Sequence, residues 1–213
     1  VQYRVTGSAT EWRAITCEHC AAEFAIGVQH QATATTSSAT VSREYANEIA
    51  ADAMEHVKAN LRSGMAESQA AALWLGHVHG EGTARSDVDL ALGFSLVWSG
   101  PGIRTFTATG DRPVQENEPT LFEIWVCADG YWADHTKLIC TGELRSDYRE
   151  LEQQLLDVYR QAVDHCRPGA SLADLDRLVR AGIDAMGYHG QPTHPIAHGV
   201  GARAHEPPYA HQA

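Results

Sequence analysis

Basic side chains are scarce in this sequence: 16 Lys and Arg face 27 Asp and Glu, for a formal net charge of −11. No local basic patch offsets the deficit, so neither a nucleic acid nor an anionic membrane surface is an expected partner. A small molecule or a peptide suits the composition better. Long apolar runs are missing as well. The longest, Ala71 to Leu75 and Gly93 to Trp98, fall far short of the roughly 20 residues that cross a bilayer. No charged-then-apolar leader opens the chain, and the expected location is the cytoplasm. Cysteines are few and odd in number, five at positions 17, 20, 127, 140 and 166, which argues against a disulfide framework and for reduced thiols. Cys17-Glu18-His19-Cys20 offers half of a zinc site, but no second closely spaced Cys/His pair follows at the usual separation.

What is present is an ordinary globular composition, 44% hydrophobic and 20% charged over 213 residues, enough for a sizeable core in one large domain or two small ones. The most informative stretch lies near the end. His194, His198 and His205 recur at spacings of four and seven among small glycines. A buried strand would carry branched apolar residues here. Imidazole is the commonest protein ligand for divalent metals and titrates unaided near neutrality, so this segment reads as ligand and proton shuttle. The start at Val1 and the stop shortly after this motif lead us to expect a longer parent chain.

Residues 31–42 are polar, without a clear period, and read as a linker, so a boundary is expected near 42. From there Tyr45, Ile49, Ala53, Val57 and Leu61 recur at helical spacing, with Gly64 as the stop, and a second helix is expected over about 66–78. A His- and Gly-rich loop, an extended segment over 91–98 and a Ser99-Gly100-Pro101-Gly102 turn follow. Ser146 opens a long helix whose apolar face carries Leu151, Leu155, Val158, Ala162 and Cys166, and Ser171 caps another that stops at Gly187. The pattern repeats: Arg62-Ser63-Gly64-Met65 stands between the first two helices as Arg167-Pro168-Gly169-Ala170 stands between the next two, 105 residues later. This suggests two related halves about a pseudo-twofold axis, with a site between them.

Between the helix pairs, residues 120–140 alternate around Asp129-Gly130, a dipeptide that tolerates positive φ at both central positions of a two-residue hairpin turn. That turn pairs Trp125 with Asp134 and Glu123 with Thr136, which puts Glu123 and Asp134 on one face as diagonal neighbours, roughly 7–8 Å apart at the backbone. Carboxylates so placed can hold two metal ions about 3.5–4 Å apart. They can equally be the solvated side of a hairpin. Trp125, Tyr131 and Trp132 beside them fit a cleft or a core.

Asp129-Gly130-Tyr131-Trp132-Ala133-Asp134-His135-Thr136-Lys137, with Ala197-His198-Gly199-Val200-Gly201 and His205-Glu206-Pro207-Pro208 about seventy residues on, resembles the pita-bread metallopeptidases: methionine aminopeptidase, aminopeptidase P, prolidase and creatinase. The resemblance runs from about Ser42 to the end. It implies an α+β pita-bread fold, two pseudo-symmetric helix-pair-plus-strand halves around a curved antiparallel sheet, incomplete at the C-terminus, with residues 1–41 as the remnant of an N-terminal domain or a linker. It implies Glu123, Asp134 and His198 as metal ligands, His205 and His194 as catalytic histidines toward substrate or transition state, and Trp132, Tyr131 and Phe106 as substrate-side residues. The implied cofactor is a divalent metal ion, a pair if the missing C-terminal ligands exist, from among Mn, Fe, Co and Zn. A homodimer is implied too.

The chain departs from the family pattern in four places. Glu123 replaces the first hairpin aspartate, Lys137 replaces an arginine fork with a point charge, Phe106 falls where the family has an upstream histidine, and the family's two late glutamate ligands have no counterpart. Three function classes therefore follow. The first is a metal-dependent hydrolase of an amide or small peptide that uses metal-activated water. The second is a creatinase-like metal-free hydrolase or a small-metabolite lyase on the same fold. The third is a binding module without turnover.

Overall fold

The computed structural model describes residues 3–6, 14–17, 23–25, 38–82, 88, 91–103 and 107–210. The chain divides into two compact units, one spanning Ala34–Arg149 and the other Val1–Thr33 with Glu150–Ala213. No helix among the described residues is long and apolar enough to cross a membrane.

In the first unit, helices α1 (Ser38–Asn60) and α2 (Glu67–His77) pack on an antiparallel sheet of β4 (Ala91–Ser99), β5 (Pro119–Ala128) and β6 (Tyr131–Cys140), in that spatial order. Strands β1 (Tyr3–Thr6), β2 (Ala14–Cys17) and β3 (Glu23–Ala25) belong to the second unit. Helix α1 begins four residues before Ser42, so the end of the expected linker is helical. Its four-residue stripe is the buried one: Ile49, Ala53, Val57 and Leu61 are nearly inaccessible, and Tyr45 packs at their edge. Ala46, Ala50 and Ala53 of α1 and the indole of Trp74 on α2 are fully buried in the same core. Two short helical turns, Val78–Gly82 and Gly100–Gly102, bracket the entry and exit of β4.

The sheet has one face toward the helices. Alternation puts Phe122, Ile124, Val126, Ala128 and Ala133 there, all in the main core cluster,. His135 shares this face and is buried, its Nε2 2.7 Å from Asn47 Oδ1 on α1. Burial pushes the imidazole down to about 4, and the nearby Lys137 charge adds to that. Gly93 lies where the backbone of β5 comes close: a Cβ at this position would stand 2.6 Å from the Trp125 carbonyl oxygen and 3.1 Å from the Trp74 ring.

The segment over residues 110–114 runs antiparallel to the α1–α2 connection, through Gly64 N to Val114 O (2.8 Å), Val114 N to Met65 O (2.8 Å) and Glu67 N to Arg112 O (3.0 Å). It carries a buried polar chain. Glu67 accepts from the Ser99 amide and hydroxyl, Arg112 donates to that hydroxyl, and Arg112 pairs with Glu118 at 2.6 Å. Glu67 Oε1, the Ser99 hydroxyl and Glu118 Oε2 thus each have a donor, as burial requires,.

In the second unit, β1 (Tyr3–Thr6), β2 (Ala14–Cys17) and β3 (Glu23–Ala25) form an antiparallel meander. It is followed by α3 (Ser146–His165, most of it in this unit), α4 (Leu172–Ala185), and a hairpin of β7 (Ala197–Gly199) with β8 (Glu206–Ala210). Ser171 caps α4 by accepting from the Asp174 amide at 3.3 Å, and Gly187 leaves it at φ 90°,. Cys166, Leu175 and Ala210 make a small core. The α3 stripe is only partly used: Leu155 remains 42% exposed.

The 105-residue repeat is present in backbone detail. Asn60 and His165 end the first helix of each pair, Glu67 and Leu172 begin the second, and Gly64 and Gly169 turn the chain between them at φ 88° and 82°. Only glycine adopts that left-handed region without steric cost.

Candidate functional site

The two carboxylates expected as ligands sit on the β5–β6 hairpin. Asp129 and Gly130 form its turn with φ of 49° and 89°, the positive pair the sequence called for. The observed register pairs Trp125 with Asp134 and Glu123 with Thr136. Glu123 and Asp134 are therefore on one face, the face turned away from α1 and α2, and both are half-buried,. His135, the next residue, points to the helices. Trp132 shares the Asp134 face, whereas Tyr131, paired with Ala128, falls on the other side. Phe106 lies outside the described residues.

Sequence reasoning missed one member of this face. Phe94 of β4 pairs with Trp125, stacks on its indole at 5.9 Å between ring centroids, and meets Trp132 edge-on at 6.2 Å. It is 42% exposed, the open end of an aromatic ledge beside the acids. Neither periodicity nor the hairpin turn identifies β4 as the neighbour of β5, so no local signal pointed to Phe94.

The three expected histidines lie in the second unit. His194 is in the loop after α4, His198 in the middle of β7, and His205 immediately before β8. A bulge between His198 and Gly199 interrupts the β7–β8 register and brings the His198 and His205 rings to 4.1 Å between centroids, tilted by 41°,. Tyr209 lies 6.5 Å from His198 across the hairpin. The His198 Nδ1–H donates to the Gly199 carbonyl at 3.0 Å. A carbonyl can only accept, so Nδ1 carries the proton of this bond, and in the neutral ring the lone pair is on Nε2. The same logic applies to His194, whose Nδ1–H donates to the Pro195 carbonyl at 2.8 Å. Gly201 is held against Glu206: a Cβ there would meet its carboxylate at 2.6 Å.

Carboxylate and imidazole are each donor types that Mn, Fe, Co and Zn accept. His198, with its other ring nitrogen anchored on a backbone carbonyl, has the arrangement that fixes a ligating histidine in the correct tautomer. On these grounds each residue, taken by itself, is of a type that a divalent ion accepts. Among the described residues, no group of three or more His, Cys, Asp or Glu is drawn together around a common point.

Comparison with known proteins gives this pattern a family. The model of Metallopeptidase family M24 matches residues 43–213. An uncharacterized peptidase of Staphylococcus aureus (strain bovine RF122 / ET3-1) is 33% identical over 97 residues, which are 46% of this chain and 28% of that protein. The X-Pro aminopeptidase from Thermotoga maritima MSB8 matches with a TM-score of 0.72 at 24% identity, over 81% of this chain and 48% of its own. Dipeptidase PepE from Mycobacterium ulcerans gives 0.72 at 26% identity, over 82% of this chain and 46% of its own. The chain thus spans about half the length of these enzymes. The fold they share is the pita-bread fold expected from the sequence. With residues 43–213 accounted for by its model, this chain belongs to metallopeptidase family M24.

Proposed function

We propose that the protein to which this chain belongs is a metal-dependent hydrolase of amide bonds in small peptides, of the aminopeptidase P and prolidase type. The observation that carries the reading is His198 on β7, anchored through Nδ1 to the Gly199 carbonyl with the His205 ring 4.1 Å away. It supports a ligand and its neighbouring donor in the order the family motif requires.

In this proposal Glu123, Asp134 and His198 hold the divalent cofactor, drawn from Mn, Fe, Co and Zn. Three protein donors suffice for one ion with open positions, and a second ion needs further carboxylates. When bound, the ion supplies Lewis-acid polarisation and makes water acidic enough to deprotonate near neutral pH. The chain's own groups do the rest. His205 donates a hydrogen bond to the carbonyl oxygen as it gains charge, which stabilises the tetrahedral state more than the ground state. His194, with its Nδ1–H committed to Pro195, presents the other edge of its ring toward the substrate. Trp132, with Phe94 against it, forms an apolar wall that receives a side chain or a proline ring and excludes water. A homodimer, implied by the family resemblance, and the cytoplasmic location expected from the sequence belong to the same proposal.

The test is turnover of Xaa-Pro dipeptides and of peptides with an Xaa-Pro N-terminus by the purified protein. Chelation should abolish activity and Mn, Co or Zn should restore it, while His198→Ala should lower both metal content and kcat. Turnover that survives exhaustive chelation would sink this reading in favour of metal-free acid–base chemistry. Metal-independent ligand binding without turnover would leave only a binding module.

A further inference from the structure

The loop that carries His194 is fastened by a buried ion pair that the proposed chemistry does not use. Asp176 and Arg180 stand one turn apart on α4. The Asp176 carboxylate is completely buried, and Arg180 Nε lies 3.0 and 2.9 Å from its two oxygens. The other two nitrogens of the guanidinium leave the helix: Nη1 donates to the Pro192 carbonyl and Nη2 to the His194 carbonyl at 3.1 Å. One planar group thus fixes three points, a carboxylate on its own helix and two carbonyls two residues apart in the loop. A lysine in this place could not do this, because its single nitrogen has no fork geometry.

The consequence reaches the imidazole. The backbone at His194 is held by Arg180 from one side, and the His194 ring closes onto the very next carbonyl, that of Pro195, through Nδ1–H at 2.8 Å. With the main chain pinned and one ring nitrogen committed, the direction of the remaining ring edge is set. Gly190 N, donating to Asp184 Oδ1 at 3.2 Å, ties the near end of the same loop to α4. Arg180, Thr193 and His194 border a cavity of about 460 Å³, so His194 lies beside open space.

We propose that Asp176 and Arg180 are positioning residues for His194: the ion pair holds residues 192–194 so that the imidazole keeps one tautomer and one orientation. Its catalytic consequence rests on the reading of His194 as a substrate-side histidine, but the positioning itself does not.

The experiment separates the two. Protein labelled with 15N at histidine reports the His194 tautomer by NMR, and amide exchange reports the order of residues 190–195. In Arg180→Gln and Asp176→Asn, His194 should lose its single Nδ1–H form and the loop amides should exchange roughly tenfold faster or more, while the exchange of α4 stays slow. Should Arg180→Gln not fold, Arg180→Lys keeps the charge facing Asp176 but reaches at most one carbonyl, and it should show the same change in smaller degree. An unchanged His194 tautomer and unchanged loop exchange in folded variants would overturn the proposal. Turnover of Ala-Pro then tests the link: where His194→Ala lowers kcat, Arg180→Gln should lower it with little change in KM, and the double variant should be no worse than His194→Ala alone. Additive losses would overturn the positioning role. If His194→Ala leaves turnover intact, the catalytic reading of His194 fails while the NMR result still decides the positioning.

Discussion

The Nε2 of His135 and the Oδ1 of Asn47 stand 2.7 Å apart, tying β6 to α1 from the side of the sheet opposite Asp134. Asn47 can only accept through that atom, so the ring nitrogen donates, and burial keeps the imidazole neutral near pH 7. Adjacent residues on one strand thus serve different purposes. Asp134 faces outward as a proposed ligand, and His135 fastens the helix layer.

The first prediction concerns pH. The His135 ring stays neutral in the folded protein until the pH approaches about 4, whereas an unfolded histidine takes its proton near 6.5. Between these values the unfolded state binds more protons, so stability rises with pH across the window and is lost as pH falls through it. The full loss is about 3 kcal/mol. Urea unfolding at pH 7 and pH 4.5 should show the wild type losing about 2–3 kcal/mol more than His135→Gln. Parallel behaviour of the two proteins would contradict the assignment.

A second prediction separates those neighbouring residues by function. Asp134→Asn should weaken Mn or Zn binding, read by calorimetry, by roughly tenfold or more. His135→Gln should leave it within about twofold, because its side chain is on the helix face,. Equal losses in both variants would refute the division of faces.

Gly93→Ala tests the close approach of β4 and β5. The new methyl would meet the Trp125 carbonyl at 2.6 Å and the Trp74 ring at 3.1 Å, and both are locked in the core. Overpacking against such neighbours costs about 2–3 kcal/mol, visible as a lower thermal midpoint with the sheet retained in circular dichroism.

Gly182→Ala supplies a sign test. In a helix interior this substitution is ordinarily stabilising by about 1 kcal/mol. Here the added carbon would stand 2.7 Å from Val158 Cγ2 on α3, and valine has little freedom to rotate away within a helix. The expected result is a net loss of about 1 kcal/mol, with Val158→Ala in the same protein restoring most of it. Stabilisation by the single change would mean that α3 yields.

How much of this was legible in the residues depends on range. The hairpin register followed from Asp129-Gly130 alone, since both turn positions demand positive φ and fix every pair after them,. The two helix pairs and their 105-residue offset were legible through helical periodicity and glycine stops. The start of α1 at Ser38 was not, because Ser, Thr and Ala there read as a linker,. Strands β1, β2 and β3 are three or four residues each, too short to show alternation. Phe94 depends on which strand neighbours β5, a non-local fact. The roles of Asp176 and Arg180 were half visible: their spacing of four marks an ion pair,, but the carbonyls to which Arg180 donates lie in a loop that no pattern predicts.

The two-residue turn at Asp129-Gly130 has a consequence for what lengths this protein can tolerate. It contains no slack, so adding or removing one residue there would shift the parity of the whole returning strand. A carboxylate would be driven into the alanine-lined layer under α1, and an imidazole would surface in its place. Most loops absorb such edits by bulging; this one would convert a change in count into an exchange of inside and outside.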